Sequence, residues 1–287
     1  MRKMSVRWML AVGLGLLCVL ASSCSRFKAP VAPLESAPMQ AGDLATLIEK
    51  RQPHVENLMV QMSVKASGGA LKGSQLVTLC SFYLHPDRVL LKVDHPRQGE
   101  MFRVIQKGKT ASIYLPQDAK FYRGTVEDLD AHPEVLFGMK PTDVVRALLV
   151  NQELAASLRA VAGNPMPKRD GKHWFVVQDL VDRKELYSVR VEDGLVDKVT
   201  VSDRADQPQV IVRYFEYTDF DGKPFPSKFE VKLCNSSLTL DVKSVEKLAV
   251  GQIKDEQAFQ TDPPAGSRIQ ARPFEELLKK SAPPTDK

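Results

Sequence analysis

The side chains best equipped for chemistry are few, and most of them stand alone. His54, His85, His95, His132 and His173 form no HExxH, no HxH and no pair at helical spacing, and no CxxC occurs. A zinc site needs such convergence, so no metal ligands are expected. His85 and His95 each precede a proline, which is turn chemistry. There is no GxSxG elbow, and Gly68-Gly69 opens no helix and leads to no GK[ST], so neither a nucleophile turn nor a phosphate loop is present. The acidic pairs Glu127/Asp128 and Asp219/Asp221 lie among turn residues, where carboxylates are solvated caps rather than a general acid and base. No catalytic residue, no cofactor and no enzyme are expected. The thiols are left. Two of the four cysteines fall in "LLCVLASSCSRFKAP", residues 16–30, and the other two are Cys80 and Cys234.

Arg2, Lys3 and Arg7 precede an apolar run of about fourteen residues, Trp8 to Ala21. A membrane span needs about twenty, so this is a signal peptide rather than a transmembrane helix. Ala21, Ser22 and Ser23 lead directly into Cys24, and Leu20 stands one place further upstream than is usual in the bacterial lipobox that this stretch resembles. That resemblance implies cleavage before Cys24, thioether-linked diacylglycerol on its sulfur and an acylated amine. Cys18 is discarded with the leader, because bulky Leu17 occupies the place where a small residue is needed. The competing readings are an ordinary cleaved leader with a chance cysteine and an uncleaved anchor. Ser25 rather than Asp after the cysteine implies, by resemblance to enterobacterial lipoproteins, an outer-membrane location facing the periplasm. One acyl chain holds a protein only weakly, whereas three hold it permanently.

The whole chain carries a net charge of +5, but three of its basic groups are in the leader and residues 24–287 carry only +2. No Lys/Arg cluster with interleaved aromatics occurs, so nucleic acid is not an expected partner. In an oxidising compartment Cys80 and Cys234 could form a disulfide, or serve as two buried thiols packing as small hydrophobes; both readings stay open.

The elements that must position any site follow from periodicity. Residues 24–42 are rich in Pro, Ala and Ser and form a linker after the leader of residues 1–23. Asp43 can cap a helix bearing Leu44, Leu47 and Ile48, which Pro53 interrupts. In "VQMSVKAS" the period changes to two, and strands are expected there and at 74–85, 88–94, 100–106, 110–116 and 119–123. His132-Pro133 can open a helix ending at Gly138. A second begins at Pro141, with Val144, Val145, Leu148 and Leu149 on one stripe and Leu154 and Leu158 continuing it. Strands resume at 173–179, 185–192, 195–202, 209–217, 226–234 and 237–247. The expected fold is mainly β (α+β): a curved antiparallel sheet forming an incomplete half-barrel closed by helices over residues 43–250. A tail follows at 251–287 with a short amphipathic helix from Phe274 to Lys280.

The ordered set "VQMSVKAS", "FYLHPDRVLLKVDHPRQGEMFRVIQKGKTASIYLPQDAKFYRG", "VLFGMKPTDVVRALLV" and "FPSKFEVKLCNSSLTLDVKSVEKL" resembles the LolA/LolB superfamily of periplasmic lipoprotein carriers and receptors, in its lipidated LolB-like branch. The resemblance implies an apolar cavity that accepts the acyl chains of lipoproteins or lipids, with a periplasmic LolA-like carrier as partner. Three acyl chains expose roughly forty methylenes, and exposing them to water costs about 30 kcal/mol, so such cargo needs a dry container. The family also implies an exposed apolar residue on a loop between early strands. The matching turn here, Pro96-Arg97-Gln98-Gly99, is polar, with Arg97 and Gln98 at its tip as possible headgroup contacts.

Candidate wall residues, taken from the apolar registers, are Met62, Val64, Leu91, Val93, Phe102, Val104, Leu115, Phe175, Phe229, Val231 and Leu240; each could equally be ordinary core packing against the helices. The function expected is an outer-membrane-anchored lipoprotein that receives acyl chains during lipoprotein localisation or insertion. The alternative is a tethered structural or assembly lipoprotein of the same fold, filled by its own side chains and binding a protein partner.

Overall fold

The structure is a computed structural model, and it describes residues 40–53, 55, 57–68, 75–84, 87–130, 141–160, 167–181, 183–233, 236–248, 259–263, 269–274 and 276. The leader, Cys18, Cys24, Cys234, the helix expected at 132–138 and most of the C-terminal helix lie outside the described residues.

Alternation builds two antiparallel meanders. The first is β1 (Asn57–Gly68), β2 (Gln75–Leu84), β3 (Arg88–His95), β4 (Gly99–Lys107), β5 (Thr110–Leu115) and β6 (Lys120–Thr125). The second is β7 (Lys168–Asp170), β8 (His173–Asp179), β9 (Lys184–Arg190), β10 (Val196–Ser202), β11 (Pro208–Phe220), β12 (Lys223–Leu233) and β13 (Ser236–Lys247). β13 returns to pair with β1, placing Val64 opposite Leu240, and so joins both meanders into one sheet. With β14 (Ala271–Pro273) the sheet has fourteen strands, in the order β14-β6-β5-β4-β3-β2-β1-β13-β12-β11-β10-β9-β8-β7. Its two ends do not meet. The turn between β11 and β12 shows why some turn residues were legible: Asp221 and Gly222 both take positive φ, at 59° and 73°, the geometry that an Asp-Gly hairpin supplies.

Direct cross-strand partners share a face. One face therefore runs unbroken through Tyr122, Ile113, Val104 and Leu91, across Val64, Leu240, Phe229 and Tyr214, and on by way of Val231, Val212, Val199, Tyr187 and Val176. All of these side chains belong to the main buried cluster. The helices α1 (Ala41–Lys50), α2 (Val126–Asp130), α3 (Pro141–Leu148) and α4 (Val150–Ala160) pack side chains into the same cluster. α1 begins after Gln40, with Asp43 inside its first turn rather than as its cap, and it ends ahead of Pro53. Backbone bonds from Leu149 to Val145 and from Glu153 to Leu149 carry the helical path through the α3–α4 junction. Specific bonds seat the pair: Tyr214 Oη donates to the Ala147 carbonyl at 2.9 Å, and Asn151 Oδ1 accepts from the Val196 N–H at 3.0 Å. Gln152 exchanges two bonds with the Val55 backbone.

Two strands were not anticipated, the three-residue β7 and β14, whose side chains are exposed and show no alternation. β14 makes part of the expected tail a component of the sheet, pairing in parallel with β6. Asp262 bonds Arg123 at 2.6 Å, Phe259 is buried, and Leu90, Ile105 and Phe121 are buried on the opposite face of β3–β6, outside the main cluster. Farther along, Phe274 joins the main cluster against Gly124, where an added Cβ would stand 2.5 Å from its ring. Gly124→Ala is therefore expected to destabilise the protein by about 1–3 kcal/mol through overpacking. Introduced into Phe274→Ala instead, the same change should cost clearly less. Urea unfolding of the double-mutant cycle checks this coupling.

Candidate functional site

The helices cover the concave face without filling it. Between α3–α4 and strands β9–β11 a cavity of about 300 Å³ remains, at the small end of ligand pockets. Ala147 and Val150 form its helical wall; Tyr187, Val199, Val201, Val210, Val212 and Tyr214 form its sheet wall. A smaller space of about 30 Å³ shares Asp143, Ala147, Val210 and Val212 with it and ends against Val144, Phe229, Val231 and Leu240. The depth is thus apolar. The polar residues Arg183, Ser202, Asp203 and Gln209 come from the end of the sheet that carries the β8–β9 and β10–β11 turns, and Asp143 and Glu153 come from the helices.

One ionic cluster stands in this apolar surround. Glu185, on the concave register of β9, has a side chain only 1% exposed. Its oxygens accept from Arg146 Nη2 at 3.0 and 3.1 Å, from Arg183 Nε at 2.8 Å and from Tyr187 Oη at 2.6 Å. Burial alone would raise the Glu185 pKa, but the Arg146 charge, the Tyr187 hydroxyl and Arg183 together outweigh it and hold the carboxyl below its ordinary 4.5. For the Tyr187 hydroxyl burial comes first and the neighbouring Glu185 charge second, and both push it upward, so it stays protonated and donating. Arg146 stands in the last turn of α3, so the cluster bolts that helix to β9 across the cavity.

The structure sorts the wall candidates into three groups. Phe229, Val231 and Leu240 bound the deep end of the cavity. Met62, Val64, Leu91, Val93 and Val104 are buried in the main cluster, with Phe102 and Leu115 half-buried against it, and they do not line this cavity. Phe175 is a correction: its cross-strand partner is Ser188, and the concave face of β8 carries Trp174, Val176 and Gln178 instead. "HWFVVQD" is apolar in both registers, so alternation could not choose. Arg97 and Gln98 are exposed on the β3–β4 turn, where the Arg97 N–H donates to His95 Nδ1. Cys80 pairs through its backbone with Gln61 and Lys92; its side chain and the whole of Cys234 lie outside the described residues. Sequence reasoning passed over Arg146, Arg183, Glu185 and Tyr187. A signal did exist, because Glu185 shares the register of Tyr187 and Val189, a carboxylate in an inward-facing row. Among the described residues no three His, Cys, Asp or Glu converge as metal ligands would.

Glu185→Leu should destabilise the fold by about 2–3 kcal/mol, less than for a wholly buried pair because Arg146 keeps some contact with water. The sign of the pH effect follows from the lowered pKa. The stabilisation from the ionised carboxylate is complete above the ordinary value of 4.5 and is lost as pH falls through the lower folded value. Glu185→Gln should therefore flatten the acid limb of stability, measured as urea midpoints from neutral pH to about pH 3.

No protein-family model matches the sequence, and no curated protein matches it. The fold has solved counterparts. A LolA superfamily protein from Nitrosomonas europaea superposes with a TM-score of 0.51 at 10% identity, over 74% of this chain and 94% of its own. A DUF1329 family protein from Desulfovibrio piger gives 0.54 at 11% identity, over 80% and 98%. A protein domain from Vibrio parahaemolyticus, described as for outer membrane lipoprotein sorting, gives 0.51 at 13% identity, over 76% and 95%. At these identities the likeness is one of fold.

Proposed function

We propose that this chain, whose half-barrel is LolA/LolB-like, is a lipoprotein anchored in the outer membrane through Cys24 that receives acyl chains from lipoproteins or lipids on the periplasmic side, with a LolA-like carrier as donor. The observation that carries the reading is the cavity left between α3–α4 and the concave sheet, whose walls are mainly apolar and rich in valine. Apolar walls offer an acyl chain an environment that water does not, at about 0.8 kcal/mol per methylene. A space of about 300 Å³ equals roughly ten water volumes, so it holds part of one chain. Larger cargo requires α3–α4 to move away from the sheet, and that movement breaks the Arg146–Glu185 bond together with the bonds of Tyr214 to Ala147 and of Val196 to Asn151. Transfer then follows from the difference in affinity between donor and acceptor, and needs no cofactor.

One observation favours the second reading, a tethered scaffold that binds a protein partner: most of the concave face is already packed by the protein's own helices. Native mass spectrometry of the membrane-extracted protein separates the two. A receptor carries co-purified lipid or acylated peptide, and Val212→Trp, which fills the cavity wall, should remove that mass while the protein stays folded by circular dichroism. A scaffold shows neither adduct nor effect. The anchor has its own test: Cys24→Ala should yield a soluble or unprocessed form. A correctly cleaved Cys24→Ala protein that still fractionates with membranes contradicts the anchor.

A further inference from the structure

The sheet parts along one seam. β12 and β13 pair only from Lys228 opposite Asp241 to Leu233 opposite Ser236. Beyond Lys228, β12 stays with β11 as far back as Lys223, while β13 follows β1 from Val242 to Lys247. The sequence enforces this parting. Phe220 and Lys223 face each other across the two-residue turn, so they and the pair Thr218–Phe225 exchange the hairpin's backbone bonds. Pro224 and Pro226 take the alternate positions, whose backbone points away from β11 and toward β13. Their carbonyls face the seam with no N–H beside them. On the other lip the Leu248 N–H donates to the Asn57 carbonyl at 3.2 Å, and alternation from there aims the N–H and C=O of Val245 and Lys247 into the seam. Among the described residues no backbone group meets them there. A trench of about 420 Å³ lies along this opening, bounded by residues 216–220 of β11, Ser227 of β12 and residues 241–245 of β13. At the turn end the lips are bridged by side chains, with Lys247 paired to Asp221 and 5.8 Å from the centre of the Phe220 ring.

We propose that this trench is a peptide-binding slot, in which an extended segment of another protein lies against β13 as an added strand. The hydrogen-bonding pattern selects a polypeptide. One lip offers both donors and acceptors, the other offers carbonyls alone, and an extended backbone presents N–H and C=O groups along both of its edges. An unpaired strand edge is a template for exactly such a segment. The lining is largely polar, with Thr218, Asp219, Ser227, Asp241, Lys243 and Ser244, so an acyl chain gains little there. A second copy of this chain fits poorly, because the strands at the two outer edges of its sheet have three residues each. The six residues from Val242 to Lys247 run about 20 Å, which matches a guest of five or six residues. Recognition through the backbone tolerates many guest sequences. The inference goes beyond the acyl-chain reading and stands whether or not the cavity takes lipid.

The test titrates the full chain in detergent micelles against a fluorescein-labelled hexapeptide of alternating threonine and valine. Anisotropy should rise to saturation, and hydrogen exchange at residues 245 and 247 should slow about fivefold or more in the complex. The same peptide N-methylated at alternate residues loses the donors of one edge and should bind at least about tenfold more weakly, since both lips present carbonyls. Val245→Pro removes an N–H that β1 does not use, and should weaken binding about tenfold. Ser227→Trp, which fills the trench from β12, asks the same question should the proline variant fail to fold by circular dichroism. The inference is overturned by the absence of saturable binding, by equal binding of the N-methylated peptide, or by protection that falls outside residues 242–247. A dimer that protects those residues without peptide also overturns it, in favour of a second copy as the occupant.

Discussion

The fold answers to one requirement: a fourteen-stranded sheet presents one continuous apolar face, and among the described residues no second sheet covers it. A sheet that long cannot stay flat, because each strand is rotated against its neighbour in the same sense. Twist curls it, and curling gives the apolar face an inside. The pairing of β1 with β13 makes this possible, since it joins an early meander to a late one along the middle of the face, at Val64 and Leu240. Helices drawn from before β1 and from between β6 and β7 then lie in the hollow. Rods do not tile a curved trough, so residual space between α3–α4 and β9–β11 is a consequence of covering a sheet with helices.

That residual space explains the odd position of Glu185. A carboxylate in an apolar row is costly unless each oxygen is satisfied, and here two guanidiniums and a phenol do so. Replacing such a cluster by hydrocarbon often leaves a fold as stable or more so, which makes it a poor device for stability alone. Its geometry gives it a different consequence. Hydrophobic contact between α3 and the sheet is non-directional and would tolerate sliding, whereas a bond from Arg146 Nη2 shared by both Glu185 oxygens favours one seat for the helix. The cover is held by packing together with a few directional bonds, those of Arg146, Tyr214 and Asn151.

The legible part of this fold was the part governed by local repetition. Period-two segments located the long strands to within a few residues, and "DFDG" announced its own turn. The stripe from Val144 to Leu158 marked the helical cover. What escaped was whatever depends on a distant partner. The three residues of β14 become a strand only because β6 lies beside them, and Gly124 is conspicuous only once Phe274 is seen in the place of its missing Cβ. Phe175 was assigned to the wrong face because both registers of its strand are apolar. Glu185 was passed over because chemistry was sought in motifs, and this cluster is assembled from a helix and a strand thirty-nine positions apart.

The same geometry ties the interior to the exterior. Strands β8 to β11 alternate, so the residues that point into the cavity and those that face outward are neighbours along one chain. Tyr187 and Glu185 look inward while Leu186, between them, looks out. Arg183 lines the cavity, and its carbonyl accepts from the Leu180 N–H across the strand ends. One short hairpin thus carries Glu185, the partner of Arg146 on the helix that covers the hollow.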